Sequence, residues 1–145
     1  MRPDATSIAL LVHVVGAMVL VGALVTASAM AIAGWRDEAA MLRRLSYRTL
    51  LLVALPGYIV MRVAAEWVYS KEYPDTYQPT WIDIGRITAD GGGLLLLIAL
   101  ILGGIGLRKS RNGGGGGLLK ASTAIATLLV AVYIVTVWAM GAKPS

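Results

Sequence analysis

Four apolar runs take up most of this 145-residue chain, and the third carries charges where a bilayer would have its hydrocarbon. The uncharged stretch 94–107 is too short to cross alone, because a span needs about 20 residues at roughly 1.5 Å each. Its helix must begin further back, near residues 84–87, which carries Asp90 and Arg86 into the membrane. An ionisable group at mid-membrane costs roughly 2.5–3.5 kcal/mol on insertion scales, and it is a functional candidate by default.

The runs cover about 6–33, 45–69, 84–107 and 118–140. Their short connections make neighbours antiparallel, so the expectation is all-α: one integral membrane four-helix bundle forming a single domain. A chain that is 57% hydrophobic and 14% charged, with mean hydropathy +0.72, is no ordinary soluble domain. The absence of cysteine excludes disulfides, thiolate metal sites and cysteine nucleophiles, and the lone histidine excludes a multi-histidine cage. That histidine has no recognisable serine and acid partners at triad spacing, which points away from a hydrolase. The glycine run 113–117 lacks the lysine ending and preceding strand of a phosphate loop, and reads as a linker. A net charge of +5 would suit nucleic acid, but the basic residues sit in short loops between apolar runs, a membrane-topology pattern.

The first loop and its edges carry Arg36, Arg43, Arg44 and Arg48, and the third carries Arg108, Lys109, Arg111 and Lys120. The second has Lys71 against Glu72 and Asp75. Under the positive-inside rule loops one and three are cytoplasmic, and both termini and loop two lie outside. The aromatic residues agree: Trp67, Tyr69, Tyr73, Tyr77, Trp81 and Trp138 gather at the outer interface, Trp35 and Tyr47 at the inner. Ala27-Ser28-Ala29 imitates a signal-peptide cleavage site. The apolar run before it exceeds the roughly 7–15 residues of a signal core, so it reads as a span.

Within the spans the ionisable groups fall in the outer half. His13 lies some 12 Å down the first helix at roughly 1.5 Å per residue, and Asp90 sits at similar depth on the third. Tyr58, Arg62 and Glu66 share one face of the second, while Asp83, Arg86, Asp90 and Gly93 form a stripe on the third. Such charges should face one another or water, with Arg62 paired to Glu66 or Asp90 and Arg86 to Asp83 or Asp90. One reading is an ion-pair network that pins helices together. The other is an outward-facing hollow in which His13, Tyr58, Arg62, Glu66, Arg86 and Asp90 bind a proton, ion or small polar solute. His13 is alternatively a packing residue, a metal ligand or an axial haem ligand partnered by Met18, Met61 or Met140.

Pro56-Gly57 should bend the second helix. Gly91-Gly92-Gly93 either unwinds the third or lets a neighbour approach, and Thr123, Thr127 and Ala131 offer a small-residue packing stripe on the fourth.

The segment His13-Val14-Val15-Gly16-Ala17-Met18-Val19-Leu20-Val21-Gly22 resembles the opening helix of a bacterial family of predicted small integral membrane proteins of unknown function. It is more distantly similar to the membrane domain of copper-resistance D proteins. The resemblance implies that His13 is a site residue, while Leu20 stands where those relatives often have tryptophan. The leading expectation is binding or movement of a proton, ion or small polar solute, in a homo-oligomer or larger membrane complex. A haem- or quinone-binding redox protein and a non-catalytic accessory subunit are the alternatives.

Overall fold

The structure is a computed structural model that describes residues 5–72 and 79–142. Helix α1 spans Ala5–Arg36 and α2 Ala40–Thr49; a π-helical turn over Leu50–Ala54 leads directly into α3, Leu55–Glu72. After the second connection come α4, Thr80–Ser110, and α5, Gly116–Ala142. No strand occurs among the described residues. Because α2, the π turn and α3 run on without a break, the elements make four spans of 27 to 32 residues, all long and apolar enough to cross a membrane. Each reaches a few residues past the apolar run that marks it. Good helix formers such as Met41, Leu42, Arg43 and Arg44 carry the winding into the interface.

Large apolar side chains are exposed on every span, among them Met18, Leu52, Val63, Ile87, Leu94, Ile101 and Val137. Such a surface has no counterpart on a water-soluble monomer, whereas acyl chains cover it without cost. The chain is a multi-pass membrane protein and an all-α four-helix bundle.

Packing divides the bundle into two close pairs. Helix α1 lies along α2, the π turn and α3, and α4 lies along α5; the pairs meet mainly where α1 touches α5. Contact between α3 and α4 is sparse. Backbone proximity explains the first pair. A Cβ built on Gly16 would lie 2.8 Å from the Met61 nitrogen, and one on Gly57 would lie 3.2 Å from the Leu20 nitrogen. The shared core is Leu20, Leu24 and Ala27 of α1 with Leu50, Met61, Leu96, Leu100, Leu129 and Tyr133. Two buried hydroxyls tie neighbours together: Ser46 donates to the Ala27 carbonyl at 2.6 Å and Ser122 to the Ala99 carbonyl at 2.7 Å. In a bilayer such bonds are among the few directional forces between helices.

The bend expected at Pro56 takes the form of the π turn. Proline offers no N–H and its ring crowds the carbonyl four residues back, here Leu52. Widening the preceding turn relieves that crowding, and the Leu55 N–H reaches back to the Leu50 carbonyl, five residues away. The glycines 91–93 do not unwind α4, which stays helical through them. The packed face of α5 is Leu119, Ser122, Ala126, Leu129, Tyr133, Thr136 and Ala139. The stripe Thr123, Thr127 and Ala131 is not that face, since Thr127 and Ala131 are exposed. Each threonine returns its hydroxyl to a carbonyl four residues back, which lets Thr127 face lipid.

Both remaining connections reverse the chain tightly. Glu38 adopts φ 52° between α1 and α2, and Gly113 and Gly115 adopt φ 81° and 82° between α4 and α5. At Gly115 the requirement is double, because a side chain there would also collide with the Gly106 carbonyl. Arg43 closes the end of α1 by donating to the Gly34 carbonyl at 2.9 Å. Its guanidinium and the Lys120 ammonium each lie 5.0 Å from the centre of the Trp35 ring.

Candidate functional site

The cluster forms where α3 passes α4. Residues 58, 62 and 66 repeat every four positions and fall in one row along α3. Tyr58, the deepest, rests its ring on Gly93 of α4 and donates to the Ala89 carbonyl at 2.9 Å. One turn further on, Arg62 sends Nε and Nη2 to the same oxygen of Asp90, at 3.0 and 2.9 Å. Its Nη1 goes to Glu66 on its own helix. One guanidinium thus serves two carboxylates. The Arg62 side chain is 24% exposed, Glu66 48% and Asp90 63%, so the cluster sits on the flank of the bundle with its acids outermost.

Depth follows from helix length. The third span has 31 residues, about 46 Å at roughly 1.5 Å per residue against a hydrocarbon layer of about 30 Å. Asp90 lies ten residues from Thr80, hence about 15 Å from that end and some 7 Å inside the apolar layer if the span is centred. Arg62, nine residues from Lys71, comes out at about 5 Å inside by the same reckoning.

The six sequence candidates are not all in one place. Tyr58, Arg62, Glu66 and Asp90 come together. Arg86 stands apart: among the described residues it makes no ion pair with Asp83 or Asp90, and its guanidinium lies 4.9 Å from the centre of the Tyr69 ring. Asp90 is already engaged by Arg62, and the aromatic face is the partner within reach. His13 belongs to the α1–α3 seam, where its Nδ1–H donates to the Met61 carbonyl at 3.0 Å. That bond puts a proton on Nδ1, because the carbonyl can only accept. No described carboxylate comes within ion-pair distance of His13. The reason is topological: α1 packs on α2, α3 and α5, and α4 stands diagonally across. Among the described residues no three His, Asp or Glu side chains come together as a metal site. Tyr73, Asp75 and Tyr77 of the second loop lie outside the described residues.

One residue that sequence reasoning missed is Tyr133. It is buried on α5, its hydroxyl sits on Gly92 just as that of Tyr58 sits on Gly93, and it has no hydrogen-bond partner among the described residues. The adjacent glycines are therefore two seats for two tyrosines arriving from α5 and α3. The signal was present as an isolated tyrosine in an otherwise aliphatic stretch of the fourth run. Two hollows lie in the other half of the bundle. One, of about 20 Å³, is walled by Ser28, Ser46, Ser122 and Thr123 with apolar neighbours. The other is a groove of about 870 Å³ between the α2–π segment and α4.

Compared with protein-family models, curated proteins and solved structures, the chain matches none of them.

Proposed function

We propose that this is a protein of a bacterial-type plasma membrane whose Arg62–Glu66–Asp90 cluster binds and passes on a proton or small cation. The observation that carries the reading is the single guanidinium shared by two carboxylates within the spans. With both acids ionised the cluster holds one unbalanced negative charge, and in a medium of low dielectric constant that surplus favours a cationic occupant. Asp90 is the binding group, because it is the more exposed acid and the one contributed by the opposite helix. Arg62 fixes its position and Tyr58 fixes the spacing of α3 from α4. His13 acts through the Met61 carbonyl to hold α3 from behind. Arg86 stands at the mouth as a second positive charge. The acids lie on the flank, so the working unit is an oligomer in which another copy completes the enclosure.

The test is proton flux into vesicles holding a pH-sensitive dye. Reconstituted protein should dissipate an imposed pH difference faster than empty vesicles, and Asp90→Asn should abolish the excess. Flux no greater than that of empty vesicles, or full flux in Asp90→Asn, overturns the reading. A second reading has an observation of its own: α3 and α4 touch little, and the Arg62–Asp90 and Tyr58–Ala89 bonds both join them. The cluster is then a staple. In that case Asp90→Asn lowers the unfolding midpoint in detergent and there is no flux to lose.

A further inference from the structure

The groove of about 870 Å³ opens between the second and third spans at the end opposite the acid cluster. Its apolar walls are Leu51, Leu52 and Leu55 on one side and Leu97, Ile101 and Ile105 on the other. Its rim carries Arg44 and Arg48 from α2 and Arg108 and Arg111 from the end of α4. All four arginines are exposed, and none is within ion-pair distance of a described carboxylate. The π turn has a part in making this space, since Leu51 and Leu52 belong to it and α2 meets α4 at few points. Where the helices do meet, the Tyr47 ring seats against Gly103 and Gly104, which closes the floor without filling the mouth.

We infer that this groove is a binding site for one anionic phospholipid, its phosphate held by the arginine rim and its acyl chains lying along the leucine walls. The occupant follows from complementarity in both parts. Four unpaired guanidiniums at the level where a span meets the interface match a phosphate, which arginine grips through two parallel N–H donors. A trough of branched aliphatic side chains leading from them into the bilayer matches hydrocarbon and nothing charged. A free phosphate would use the rim alone, and a second copy of this chain would bring like charge against like.

The experiment is native mass spectrometry and thermal unfolding of the full chain in neutral detergent, titrated with phosphatidylglycerol, phosphatidylcholine or inorganic phosphate. One phosphatidylglycerol should be retained per chain and should raise the unfolding midpoint, while the other two should not. The surface double variant Arg48→Gln/Arg108→Gln should bind phosphatidylglycerol roughly thirtyfold more weakly, from the loss of two interfacial cations. Ile101→Trp, which fills the trough and keeps every charge, should lose the retained lipid as well. Equal protection by phosphatidylcholine, or wild-type binding in the arginine variant, overturns the site. Protection by inorganic phosphate alone reduces it to an anion site, and unchanged binding in Ile101→Trp reduces it to surface charge; either result sinks the lipid groove.

Discussion

A methyl group added at Gly16 would meet backbone, the Met61 nitrogen at 2.8 Å and its Cα at 3.0 Å, and backbone cannot swing aside. Gly16→Ala should therefore push α1 from α3 and lower stability by about 1–3 kcal/mol, the usual range for overpacking. Gly91 has nothing within 4 Å. Gly91→Ala should leave stability unchanged or raise it by up to about 1 kcal/mol, through helix propensity alone. Thermal unfolding in one detergent ranks both against the parent chain, and the expected order is Gly91→Ala highest and Gly16→Ala lowest. Tyr133 gives the complementary case. Its hydroxyl is buried without a partner among the described residues, so Tyr133→Phe should stabilise by about 1 kcal/mol as an unmet polar group is removed. A fall in midpoint would show that the hydroxyl is engaged. These side chains explain what could be read in advance at this scale and what could not. The row Tyr58, Arg62, Glu66 was legible because four-residue spacing fixes a face. The expected meeting of His13 with Asp90 was not, because it depends on which helices end up diagonal, and no local pattern specifies that.

Among the elements, the π turn has the clearest consequence. It holds one residue more than an α-helix would need between the same two faces. Deleting Leu52, which is 67% exposed, should remove the extra residue and leave an α-helix kinked at Pro56, while keeping Ser46 on Ala27 and Gly57 on Leu20. Deleting Ile59 from α3, also exposed, has no such slack and should turn Tyr58 or Arg62 off its row by about 100°. Size-exclusion profiles and unfolding midpoints of the two deletions should separate them, with the Leu52 deletion monodisperse and the Ile59 deletion aggregated. The four spans were readable because apolar length alone defines them. The form of the bend was not, since a proline can kink a helix or sit behind a widened turn, and neighbouring packing decides. The inward face of α5 was misread for a related reason. Small polar residues lie on both of its sides, and a threonine that bonds its own backbone carries no sign of which way it points.

At the scale of the whole molecule, eight of the basic residues cluster at the end holding the α1–α2 and α4–α5 connections, and this predicts sidedness. The chain has no cysteine, so single introduced thiols report it cleanly. Lys71→Cys should react with a membrane-impermeant maleimide in intact cells, and Asn112→Cys should react only after the membrane is opened. The reverse pattern would invert the topology and place the acid cluster toward the cytoplasm. Two close pairs that share chiefly the α1–α5 seam also make this sequence resemble two hairpins in tandem more than one indivisible bundle. Severed within 73–78, each half would keep its own internal glycine contacts and its own two crossings. Reunion would then depend on one long aliphatic seam and a handful of polar clasps, so that joining the halves as one polypeptide serves chiefly to keep them at high mutual concentration.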